Sequence, residues 1–250
     1  MNTKLILGLV TIGLMGNMAF ANLLVDRGLP TANLNNDAGD NRANVAWAFT
    51  EYTPQDYWLV GDTFVNNSSH TWSINKIRLW TTGPTDTAVL RGGIDGSTIG
   101  IVSSTYSMTA ATYAGGSSYE TGTPGTFRDI NQIDFTVDIL LGAGQTYDFF
   151  LDGTGNTRAD IVVPFVNASN AALSGSPQQG SDNLMLGAEV VGGTLDPLSI
   201  GSWDSNGYGW DKSSDVNVDV FGSVPDGGMT VTLLGGALMS LAALRRKLFC

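Results

Sequence analysis

Polar and apolar residues alternate along much of this chain with a period of two. Phe135, Val137 and Ile139 are interleaved with Asp134, Thr136 and Asp138, and Val216, Val218 and Val220 with Asp215, Asn217 and Asp219. That period places successive side chains on opposite faces of an extended backbone and predicts half-buried strands. Further strand-like runs cover Val45–Glu51, Tyr57–Val65, Trp72–Trp80, Thr98–Ser103, Gln145–Leu151, Ala159–Phe165 and Leu184–Val191. Within Trp72–Trp80 the alternation slips: Trp72 and Ile74 share one face, Ile77 and Leu79 the other, which calls for a bulge or for burial on both faces. Clusters of Gly, Asn, Asp, Ser and Pro at Thr81–Asp86, Gly115–Gly125 and Leu173–Asn183 read as connections. No run between the ends has a helical period. About nine strands without a helical crossover predict an all-β fold, an antiparallel sandwich of the jelly-roll kind.

The two ends break this pattern. Lys4, the apolar stretch Leu5–Met15 and Ala19-Phe20-Ala21 have the charge, length and small-x-small pattern of a signal peptide, with cleavage after Ala21 leaving Asn22 first. At the other end, Met229 to Leu244 is uncharged and is followed by Arg245, Arg246 and Lys247. Sixteen residues make a helix of ~24 Å, slightly short of a hydrocarbon core of roughly 30 Å but workable with thinning or snorkelling. Pro225 and Gly227-Gly228 disfavour helix just upstream and set its start near Met229. The three cations form a basic stop on the cytoplasmic side, leaving the preceding residues outside. The expected division is a signal peptide over 1–21, a sandwich over 22–223 and a hydrophobic tail over 224–250.

The tail, Val224-Pro225-Asp226-Gly227-Gly228 followed by an apolar segment and a basic end, resembles the C-terminal sorting signals of bacterial exosortase substrates, the PEP-CTERM class. It departs from the commonest form in carrying Asp226 rather than Glu and in having Cys250 after the basic cluster. The resemblance spans roughly a tenth of the chain. It implies a membrane-embedded cysteine peptidase that cuts near the motif, after export through the Sec translocon and removal of the leader by signal peptidase. The run Asp215–Phe221, leading into the motif, is similar to the closing strand of sorted sandwich proteins.

Charge narrows the functions open to the body. The chain has 12 basic and 23 acidic residues. Setting aside Lys4, Arg245, Arg246, Lys247 and Asp226 leaves 8 and 22, a net charge of about −14. That sign argues against nucleic acid as a partner and fits solubility outside the cell or association with divalent cations. Cys250 is the single cysteine, so the body has neither a disulfide nor a thiol nucleophile.

Catalytic patterns are thin. His70 is the only histidine, in the polar turn Asn66-Asn67-Ser68-Ser69-His70, which excludes a multi-histidine zinc site. There is no nucleophile elbow, phosphate loop or dinucleotide fingerprint. Glu51, close to Trp47, Tyr57 and Trp58, is the best single acid for glycoside hydrolysis, but nothing marks its partner carboxylate. Calcium fits better: Asp152, Asn156 and Asp160 supply oxygens along a Gly-bent loop, and Asn35–Asn41 is a second such stretch, although Asp, Asn and Gly are also ordinary turn residues. For sugars, Trp203, Asp204, Asn206, Tyr208 and Trp210 combine stacking rings with hydrogen-bonding groups, while the same tryptophans would serve equally well as apolar plugs. The expectation is an exported, non-enzymatic surface or matrix protein, without cofactor unless calcium, associated with exopolysaccharide. A calcium-dependent carbohydrate-binding module and a secreted glycoside hydrolase are the alternatives.

Overall fold

The computed structural model describes residues 21–29, 43–47, 57–82, 85, 87–111, 118–120, 127–154, 165–169, 179–182, 184–202 and 214–224. Among these are sixteen strands and one 3-10 turn, Pro197–Ser199. In chain order the strands are β1 Asn22–Arg27, β2 Ala43–Trp47, β3 Tyr57–Val65, β4 Trp72–Thr82, β5 Thr87–Ile94, β6 Gly100–Ser103, β7 Tyr106–Ala110 and β8 Ser118–Glu120. They continue as β9 Phe127–Leu141, β10 Thr146–Thr154, β11 Phe165–Ser169, β12 Leu186–Val191, β13 Thr194–Leu195, β14 Gly201–Ser202, β15 Asp215–Val216 and β16 Val218–Ser223.

They form two antiparallel sheets. The first runs β1–β16–β4 and continues from β4 to β9, which carries β7 and β8; β11 joins β4 to β2 and β15. The second runs β13–β12–β3–β10–β5–β6, with β14 beside β12. One core holds the two together: Ile74, Ile77, Leu79, Phe135 and Val220 of the first sheet belong to the same buried cluster as Val60, Phe64, Leu90 and Phe149 of the second. Phe64 packs against Tyr147 and Phe149 at ring separations of 5.3 and 5.9 Å, within the range where tilted aromatic pairs attract.

The slip in Trp72–Trp80 is a bulge. Pairing of β4 with β9 shifts between Ile74 and Lys76, and pairing with β16 shifts between Phe221 and Gly222. Ile74 and Ile77, three residues apart, therefore both face the core. Opposite them a Cβ on Gly222 would lie 2.2 Å from the Ser73 carbonyl oxygen, so only glycine fits that approach.

The strand pattern departs from expectation elsewhere. Asp215–Phe221 is two strands, broken at Asn217, whose amide Nδ2 donates to the carbonyls of Arg27 and Gly28 while its backbone N–H bonds Asn167. Its polar positions do not face water: Asp215, Asn217 and Asp219 are all buried. In the second sheet the neighbours Leu59 and Val60, and Phe149 and Phe150, are buried together, so both faces are covered. That explains the nearly continuous apolar runs in β3 and β10. β1, β5 and β7 carry no strong sequence signal. In β5 the inward positions fall to Ala88, Leu90 and Gly92, two of them too small to mark a period. Ala159–Phe165 lies outside the described residues except for Phe165, which opens β11.

Candidate functional site

Three groups of charged residues stand out. The deepest lies between the sheets. Arg27 ends β1, Asp62 sits in the middle of β3 and Asp215 opens β15; all three are at most 1% exposed. Arg27 Nη1 lies 3.3 Å from both Asp62 Oδ2 and Asp215 Oδ1, and Nη2 donates to the Thr63 carbonyl. Asp62 also accepts the backbone N–H groups of Thr63 and Val216, each at 2.6 Å. Ser181 Oγ and the Asp182 amide donate to Asp215. Burial lifts the Asp62 carboxyl to about 8 in spite of Arg27, with Asp215 adding to the rise. Burial lifts Asp215 as well.

Asp182 brings a third carboxylate to this place, and one oxygen each from Asp62, Asp182 and Asp215 lie within 4.8 Å of one another. The spacing suits a divalent cation, but the space between Asp62 and Asp215 is held by the guanidinium of Arg27, and Asp182 Oδ1 accepts the Leu184 amide. The cation of this cluster is Arg27. Its contacts tie β1, β3 and β15 together across the core.

The second group contains Asp152 of β10. Arg91 Nε donates to its Oδ2 at 2.6 Å, and the Tyr57 hydroxyl to both oxygens at 3.1 and 3.3 Å. Burial, with Asp152 adding to it, pushes the Tyr57 hydroxyl up to about 12. Asp152 was expected as a calcium ligand with Asn156 and Asp160. The structure places its carboxylate in an ion pair on a buried strand, so a metal would have to compete with Arg91. Asn156 and Asp160 lie outside the described residues.

The third group is a row across the first sheet, on the side away from the core. Asp26 pairs with Asp219, Asp219 with Arg78, and Arg78 with Asp134. Arg78 grips Asp134 with Nε at 2.6 Å and Nη2 at 2.9 Å, and Lys76 Nζ approaches the same carboxylate at 3.4 Å. Burial would raise Asp134, but these two cations hold it below its ordinary value. Asp219 is raised to about 6 by burial and by Asp26.

The remaining expected residues fall as follows. His70 is exposed on the turn after β3, its Nδ1 3.0 Å from the Oγ of adjacent Ser69. Ala21 is exposed directly before β1, and Val224 directly after β16 is half-buried against the core. Ala19, Glu51, Trp203, Asp204, Asn206, Tyr208, Trp210, Pro225, Asp226, Gly227, Gly228, Arg245, Arg246 and Lys247 lie outside the described residues. No helix among the described residues is long and apolar enough to cross a membrane. Sequence reasoning missed Arg27, Asp62 and the buried role of Asp215. The one available signal was Asp62 itself, a charge set inside the apolar run Leu59–Phe64.

No family model matches the sequence, and no curated protein matches it. Among solved structures, a family 3a carbohydrate-binding module from the CipA scaffolding of Clostridium thermocellum is similar over 62% of this chain and 99% of its own, at 11% identity and a TM-score of 0.27. A likeness that loose bears on neither the wiring nor the activity of this chain.

Proposed function

We propose that this is an exported, non-enzymatic surface protein. A leader over 1–21 takes it through the Sec translocon, a jelly-roll sandwich forms over 22–223, and a tail over 224–250 is cut by an exosortase-like membrane peptidase. The body then stays at the surface or in the matrix, among exopolysaccharide. The jelly-roll reading is supported by strand order: β1–β16–β4–β9 faces β3–β10–β5–β6, the order that two interlocked Greek keys produce.

The observation that carries the export reading is how the strands meet the two boundaries. β1 begins at Asn22, immediately after Ala19-Phe20-Ala21, and β16 ends at Ser223, immediately before Val224-Pro225-Asp226. These two strands pair with each other, Asn22 opposite Gly222. Both cuts therefore fall side by side at one edge of the sandwich, and neither removes a rung of its ladders. Val224 packs against the core, so the fold holds the chain up to that residue. A peptidase needs an accessible extended backbone, which sets the cut at Pro225 or beyond.

Intact-mass analysis of the protein recovered from its own cells tests this reading. The expected species starts at Asn22 and ends between Pro225 and Gly228. A surface species that retains Leu233–Cys250 would overturn the sorting proposal, and one that still begins at Met1 would overturn the leader.

A further inference from the structure

We propose that Asp26 and Asp219 hold a divalent, oxygen-liganded cation of the calcium class at the seam where the first strand joins the last. The site is separate from Asp152 and from the Arg27 cluster, and stands independently of the export reading.

Asp26 and Asp219 are directly paired across β1 and β16. Like charges in that position repel. The cations of the row relieve them only in part: Arg78 and Lys76 are both drawn to Asp134, and Arg78 Nη1 reaches Asp219 only at 3.9 Å, on Oδ2. Asp219 is only 8% exposed, and its other oxygen, Oδ1, is buried with no hydrogen-bond partner. A buried carboxylate oxygen left unpaired is costly.

That oxygen points to a gap left by Gly28. A Cβ on Gly28 would stand 3.2 Å from Asp219 Oδ1, 3.6 Å from Asp26 Oδ1 and 3.5 Å from the ring of Trp80. Two carboxylate oxygens thus border one small space that has no side chain of its own. Asp26 contributes Oδ1, to which the Gly28 amide donates weakly at 3.4 Å, and it opens to solvent on its outer side. Calcium takes six to eight oxygens, and two carboxylates with water completing the shell match the weak, roughly 10⁻⁴–10⁻³ M, affinity of extracellular sites. A cation here would neutralise the repulsion and clamp β1 to β16.

The test is calcium binding by the full chain, read by calorimetry and by calcium-competed terbium emission excited through tryptophan, since Trp80 adjoins the space. The parent should bind saturably, and Asp219→Asn and Asp26→Asn should each weaken binding at least tenfold. Asp26 is half-exposed, so its variant keeps the fold, and circular dichroism checks both. Asp182→Asn should bind like the parent. Absence of saturable binding by the parent would overturn the proposal. So would parent-like binding by a folded Asp26→Asn, or loss of binding in Asp182→Asn, which would move the cation to the core cluster.

Discussion

Replacing Arg27 with methionine should remove a large share of the stability of this fold. The side chain is 1% exposed and serves three acceptors, Asp62, Asp215 and the Thr63 carbonyl. Methionine fills much of the volume but donates nothing, so the two carboxyl groups are left facing each other without a cation. Removing one partner of a buried ion pair costs about 3–5 kcal/mol, and the orphaned Thr63 carbonyl places this site at the upper end of that range. Against a total stability of about 5–15 kcal/mol for an ordinary domain, the loss is severe. Urea unfolding should show a lower midpoint with an unchanged slope, because the surface exposed on unfolding stays the same. The penalty should shrink at pH 5 relative to pH 8, since a protonated Asp62 tolerates the missing guanidinium. A variant within about 1 kcal/mol of the parent at pH 8 would refute the view that Arg27 is the cation holding β1, β3 and β15 together.

Two further outcomes follow from the same packing. Asp62 releases its proton at about 8 in the fold against an ordinary carboxyl value of 3.8, so between those values the folded chain binds more protons than the unfolded one. Stability should therefore fall as pH rises from about 4 and level off above about 8, and Asp62→Asn should flatten that slope in thermal melts across the range; an unchanged slope would remove Asp62 as its source. Gly61→Ala should destabilise by about 1–3 kcal/mol or more, because the new Cβ would meet the Phe149 carbonyl oxygen at 1.9 Å. Gly201→Ala, with nothing within 4 Å, should stay within about 0.5 kcal/mol, and equal effects in the two variants would refute the steric account.

By itself the sequence determined the class of fold, an antiparallel all-β one. Alternation in Asp134–Ile139 and the apolar run Tyr57–Val65 were enough for β9 and β3, because an extended backbone with a face to bury leaves a period-two record. The slip in β4 was legible as either a bulge or burial on both faces, and the register shift between Ile74 and Lys76 decided for the bulge. Only the tertiary structure decided what the charges do. Asp215, Asn217 and Asp219 have the spacing of a solvent-facing row, yet they are buried. Their partners Arg27, Asp62 and Asp26 are distant in sequence, and pairing β1 with β16 brings Arg27 within 3.3 Å of Asp215 across 188 residues. Local pattern fixes which way a side chain points relative to its own strand. It carries no information about which strand arrives on the other side, and that arrival made a cluster in the core and left one carboxylate oxygen at the seam, Asp219 Oδ1, without a hydrogen-bond partner.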